Sequence, residues 1–143
     1  MKRLSIIIVT YNSEHDIYNC LASIRKHQDL QPEELEIIIV DNNSRDTDGM
    51  FAKLRELYGN DIILVKNTNN GGYGQGNNVG IRMATAPVIL IMNPDVRLLM
   101  PIFKTATDAF EHYSELSMYG MKQLLGNLQD SRNSFCCEYA MNG

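Results

Sequence analysis

Short aliphatic runs that break off into polar residues constrain this chain more than any other feature. Residues 4–9 (LSIIIV), 35–40 (LEIIIV) and 87–92 (PVILIM) are strand-length and almost wholly apolar, with a shorter run at 62–65 (IILV). Such runs predict strands buried on both faces, the pattern of a parallel sheet covered by helices. The segments between them have helical spacing. Ile17, Cys20, Leu21 and Ile24 make one apolar stripe, capped by Asn12 or Ser13. Phe51, Leu54 and Leu57 make a second, capped by Thr47 or Asp48 and closed by Tyr58-Gly59-Asn60-Asp61. A third helix is expected near 77–84, and another after Pro101 along Ile102, Phe103, Ala106, Ala109, Phe110 and Tyr113. Strands alternating with helices imply right-handed βαβ units, hence an α/β fold with a mainly parallel sheet. Further on, 118–125 and 128–134 suit two strands joined by a tight turn at Gly126-Asn127. With no repeat or linker, the 143 residues read as one domain.

The polar ends of these strands are the candidate functional residues. In open parallel sheets, ligands collect beyond the carboxyl ends of the strands. Thr10-Tyr11, Asp41 and Asn93-Pro94-Asp95 therefore share one rim. Pro94 ends its strand, and Asp95 beside an apolar interior needs a cation, a donor or water. Asp41 can accept from a ribose hydroxyl or a base imino group. Taken singly, each reads first as an ordinary polar turn; three on one edge are harder to dismiss. The stretch 71–80 (GGYGQGNNVG) suggests a phosphate loop, but neither usual form fits. Asn77-Asn78 stands where a P-loop needs Lys and Ser or Thr, and Gly80 comes one residue late for a dinucleotide fingerprint. The other reading is that these glycines let a helix pack tightly.

A net charge of −4 and the lack of a dense Lys/Arg tract argue against a nucleic-acid surface. The apolar runs are too short to span a membrane. Cys20, Cys136 and Cys137 form an odd set without CxxC spacing, which favours reduced thiols and a cytoplasmic setting. His15, His27 and His112 are scattered over helical stretches and do not form a metal cluster.

The order SIIIVTYN, IIIVDNNSRD, NTNNGGYGQGNNVGI and ILIMNPD closely resembles the nucleotide-binding half of the inverting family 2 glycosyltransferases, in particular the rhamnosyltransferase-like enzymes of polysaccharide synthesis. The resemblance is strong over about residues 4–100 and continues weakly to the end. It implies a GT-A fold, a three-layer α/β/α sandwich binding a nucleoside-diphosphate sugar. By that resemblance Thr10 and Tyr11 flank the nucleoside and Asp41 holds the base. Gly72 and Asn78 belong to the loop and helix that close over nucleoside and sugar. Asn93-Pro94-Asp95 stands in place of the DxD motif, with Asp95 helping to hold Mg2+ or Mn2+ and Asn93 offering a neutral oxygen. A hard divalent cation can neutralise charge on the leaving phosphate. The acceptor would be a glycan or a lipid-linked acceptor, with peripheral attachment to the inner face of the membrane and homodimerisation as further expectations. The family's general base is a carboxylate downstream of the metal motif, and neither Asp130 nor Glu138 stands in a matching motif. The chain is thus expected to be truncated at its C-terminus, with the base beyond Gly143. About 1–100 would be the donor-binding half and 101–143 a helix with a hairpin. A non-catalytic nucleotide-sugar-binding module and a sugar nucleotidyltransferase remain alternatives.

Overall fold

The computed structural model describes residues 1–124, and by packing the chain falls into two compact units, Met1–Thr107 and Asp108–Gly143. The first unit carries, in order, β1 (Leu4–Thr10), α1 (Glu14–His27), β2 (Leu35–Asp41), α2 (Thr47–Tyr58), β3 (Ile63–Lys66), α3 (Tyr73–Met83) and β4 (Val88–Met92), then the start of α4 (Phe103–His112). The four strands form one sheet of order β3-β2-β1-β4, and each neighbouring pair is parallel. This is the α/β sandwich that the alternating pattern predicts.

β1 lies at the centre, with all seven residues buried. On one face Leu4, Ile6 and Ile8 pack with Ile17, Cys20, Leu21 and Ile24 of α1 and with Met50 and Leu54 of α2. On the other face Val9, Ile38 and Val40 pack with Val79 and Ala84, at and just beyond α3. Right-handed crossovers produce this sidedness: the chain moves outward through β1, β2 and β3, then reverses to place β4 on the far side of β1. α3 comes close to the sheet because it presents glycines. A Cβ on Gly76 would meet Val9 Cγ1 at 2.7 Å, and one on Gly80 would meet Ile7 Cγ2 at 2.5 Å. A buried carboxylate pins the same face. Glu36 of β2 accepts from Ser5 Oγ at 2.6 Å, from Thr85 N–H at 3.0 Å and from Thr85 Oγ1 at 2.9 Å.

Several local expectations are corrected. β4 is not buried on both faces. Among the described residues it is an edge strand, and Ile89 and Ile91 are 38% and 46% exposed. α2 turns Met50 and Leu54 inward, whereas Leu57 is 47% exposed. Its cap is Asp46, whose Oδ1 accepts from Gly49 N–H at 3.0 Å; Thr47 has turned inward instead. α3 begins at Tyr73, so most of the glycine-rich stretch is helix and not loop.

In the second unit α4 ends with Tyr113 N–H donating to the Ala109 carbonyl at 2.9 Å. Residues 118–123, part of an expected strand, have no regular structure. The expected turn at Gly126-Asn127, the return strand at 128–134, Asp130, Cys136, Cys137 and Glu138 lie outside the described residues.

Candidate functional site

The register of the sheet sets the geometry at its carboxyl edge. Thr10 lies directly beside Asp41, the last residues of β1 and β2. Thr10 Oγ1 and Ser44 Oγ donate to Asp41 Oδ1 at 2.8 and 2.5 Å, and Ser44 N–H and Thr47 Oγ1 donate to Oδ2 at 2.9 and 2.5 Å. A carboxylate has about four acceptor positions, so Asp41 is filled from within the chain. Burial pushes its carboxyl up, but the donors from Ser44, Thr47 and Thr10 outweigh that and hold it below its ordinary 3.8. A base can reach Asp41 only by displacing one of these donors.

The turns that follow the strands are laced together by side-chain amides. Asn12 and Asn43 adopt left-handed backbone, φ 51° and 62°, which asparagine tolerates better than most residues. Asn12 N–H donates to Ser44 Oγ at 2.8 Å, and Asn12 Oδ1 accepts from Arg45 N–H at 2.9 Å. Asn42 Nδ2 donates to the Gly72 carbonyl at 2.9 Å, and its Oδ1 accepts from Asn67 Nδ2 at 2.7 Å. Gly72 itself, at φ 86°, starts α3.

Between the ends of β1 and β4 lies a groove of about 350 Å3 lined by Val9, Ser13, Asp16, Tyr73, Asn93, Pro94 and Asp95. This is where the strand order reverses, the usual place for a ligand in an open α/β sheet. Tyr73 bridges the groove, its hydroxyl donating to Asn93 Oδ1 at 2.5 Å. Beneath, the Cys20 thiol approaches the Asn93 carbonyl at 3.8 Å; burial, then the charge of Asp95, push that thiol up to about 12 and keep it protonated. The carboxylates of Asp16 and Asp95 have no hydrogen-bonded or ion-paired partner among the described residues. The starts of α1 and α3 carry no side-chain cap. Free carboxylates invite a cation, and uncapped helix starts suit an anion. A wider groove of about 540 Å3 between α1 and α2 contains none of the strand-end residues.

Residues 5–113 match the family model described as Glycosyl transferase family 2. The chain belongs to that family. The family 2 chain is 34% identical over 131 residues to the poly(ribitol-phosphate) β-N-acetylglucosaminyltransferase TarS of Staphylococcus aureus, covering 88% of this chain and 22% of TarS. It is also 34% identical over 94 residues to a poly(ribitol-phosphate) β-glucosyltransferase of Bacillus spizizenii, covering 65% of this chain and 15% of that protein. The crystal structure of S. aureus TarS 1–349 in complex with UDP-GlcNAc aligns with a TM-score of 0.69 at 26% identity, over 85% of this chain and 37% of that one. A mannosyltransferase of Pyrobaculum calidifontis in complex with GDP-Man and Mn2+ aligns at 0.66 and 25% identity, covering 85% of this chain and 36% of that one. The fold is thus GT-A, and the family 2 chain spans about a fifth of the length of TarS.

Within this family 2 chain the residues expected from sequence divide into three groups. Asn93 and Asp95 meet in the groove. Thr10 and Asp41 pair with each other inside the sheet edge, both fully buried. Tyr11, 52% exposed, stands next to Ser13, while Gly72 and Asn78 are exposed on the α3 side and do not line the groove. Buried Asn77 is the inward-facing member of its Asn pair. Asp16 and Tyr73 were not singled out by sequence, and Ser13 only as a helix cap. The Ser13-Glu14-His15-Asp16 spacing of a capping box would have drawn attention to Asp16. Here Ser13 Oγ turns back to the Tyr11 carbonyl at 3.1 Å, so no such cap forms.

Proposed function

We propose that this chain is the donor-binding part of a glycosyltransferase that moves a hexose-type sugar from a nucleoside diphosphate to a glycan or lipid-linked acceptor in cell-surface polysaccharide synthesis. The observation that carries this reading is the Asn93–Asp95 groove at the strand-order reversal of a family 2 sheet. The complexes of TarS with UDP-GlcNAc and of the Pyrobaculum enzyme with GDP-Man and Mn2+ support a nucleotide-sugar as the ligand. Thr10, Tyr11, Asn42 and Gly72 would border the nucleoside, with Asp41 holding their turns in place. Asn78 lies on the helix above them.

The groove fits a divalent metal. Asp95 and Asp16 bring unpartnered hard oxygen ligands, and among the described residues no cluster of three His, Cys, Asp or Glu forms a closed cage. Such a donor set suits Mg2+ or Mn2+ held by one or two carboxylates together with ligand phosphates. Asp95 would hold the metal, which neutralises charge on the leaving diphosphate. No other carboxylate among the described residues lines the groove, so binding is the direct test of this reading and turnover is not. A cytoplasmic site, at the inner face of the membrane, agrees with a nucleotide donor. No helix among the described residues is long and apolar enough to cross a membrane.

Calorimetric titration with UDP, GDP and their sugars, with Mn2+ or with chelator, is expected to show binding that Mn2+ strengthens. Asp95→Ala should abolish the metal effect. A wild type that binds none of them under either condition would end the donor-site reading. Homodimerisation through the open face of β4 is a further proposal. Sedimentation should show wild type associating more than Ile91→Lys, and equal behaviour of the two would exclude that face.

A further inference from the structure

Asn93 departs from the acid that opens a DxD motif, and the structure gives its amide a definite orientation. Its backbone is held by three features: Pro94 follows it, Val96 N–H donates to its carbonyl at 3.2 Å, and the Cys20 thiol lies 3.8 Å from the same oxygen. Its side chain is held by Tyr73, whose hydroxyl donates to Oδ1 at 2.5 Å from the first residue of α3. A tyrosine hydroxyl has one proton to give, and here it goes to the amide oxygen. One of the oxygen's two lone pairs is therefore taken and the amide is fixed with its oxygen toward Tyr73, so Nδ2 is the end of Asn93 left without a protein partner among the described residues. An amide NH2 donates hydrogen bonds and cannot ligate a cation.

We propose that Tyr73 is a positioning residue that makes Asn93 a hydrogen-bond donor to the diphosphate of the ligand, and not the neutral metal ligand that its place in the motif suggests. Asp95 then stands as the motif's one metal-binding side chain, and Asn93 contributes to ligand affinity without metal. The inference rests on the donor-site reading above. It explains why a tyrosine, 48% exposed beside a groove, has its hydroxyl tied across it to the end of β4.

The test titrates UDP into wild type, Tyr73→Phe, Asn93→Ala, the double variant and Asn93→Asp, each in chelator and in Mn2+. Thermal melts should show the same midpoint for wild type and Tyr73→Phe, since that substitution removes one exposed hydroxyl. In chelator, Tyr73→Phe and Asn93→Ala should each weaken UDP about tenfold, the scale of one hydrogen bond to a charged group. The double variant should lose no more than Asn93→Ala alone, because Tyr73 acts through Asn93. Asn93→Asp should bind UDP more weakly in chelator and gain more from Mn2+ than wild type does. Tyr73→Phe within twofold of wild type, losses that multiply in the double variant, or an Asn93→Ala defect seen only in Mn2+ would each overturn the proposal. UDP binding by wild type alongside any of these leaves the donor site standing and removes only this role. No UDP binding by wild type in either condition removes both.

Discussion

Asp41 shows how one side chain can organise a site from beneath it. It sits at 0% exposure and accepts from Thr10, Ser44 twice and Thr47, so it fixes the turn that carries Asn42 and Asn43. Asp41→Asn leaves fewer acceptor positions facing the same donors and adds an NH2 among them. A loss of about 2 kcal/mol at neutral pH is expected, measured by denaturant unfolding. The sign of its acid dependence follows from its lowered pKa. Asp41 stabilises the fold fully above its ordinary 3.8, and that contribution is lost as pH falls through the lower folded value. Glu36 behaves in the same sense below its ordinary 4.5, where burial raises it and the bonds from Ser5 and Thr85 outweigh the rise. Stability should therefore drop below 4.5, and less steeply below 3.8 in Asp41→Asn than in wild type. Equal slopes would mean that Asp41 titrates as it does when unfolded. That Asp41 stands at the carboxyl edge of the sheet was legible from a polar residue closing an apolar run. That its acceptors are spent internally was not, because Ser44 and Thr47 reach it only once the turn has folded.

α3 shows the same division at the level of an element. Its glycines look like loop residues in sequence, since glycine weakens helices and favours turns. In the fold they have separate uses. Gly72 takes the positive φ that opens the helix, while Gly76 and Gly80, four apart, lie on the face that meets β1. A Cβ on Gly80 would strike Ile7, a buried β-branched residue with little room to move, whereas one on Gly74 meets nothing within 4 Å. Gly80→Ala should thus destabilise by about 1–2 kcal/mol, overpacking exceeding the gain in helix propensity. Gly74→Ala should stabilise by about 0.5 kcal/mol. Thermal melts of the two variants check this, and shifts of the same sign would show that α3 does not sit so close to the sheet. The order of strands and helices could be read because burial imposes a period on the residues themselves. The edge position of β4 could not, because an all-apolar run looks alike whether one face is covered or two. Tyr73 escaped notice for a related reason: its partner Asn93 is 20 residues away, and only the α3–β4 crossover brings them together.

For the whole molecule, the decisive feature is the return of the chain to β1. Val9, Ser13 and Asp16 form one wall of the groove, while Tyr73, Asn93 and Asp95 arrive from much later in the sequence. Ser5 and the Ala86 N–H that it accepts are 81 residues apart. Contacts of such long range are slow to form, because loop-closure entropy is lost before they compensate for it. After dilution from denaturant, far-ultraviolet circular dichroism is expected to recover before the capacity to bind UDP, with binding following the slowest phase. Simultaneous recovery would show that β4 docks as early as the helices form. During synthesis the same geometry has a second effect. β1 can pair with β2 while its other edge is still bare, and only the late arrival of β4 closes it. The groove is therefore the last seam of the described sheet to be sewn, and a nucleotide bound there as proposed would report that these four strands have come together.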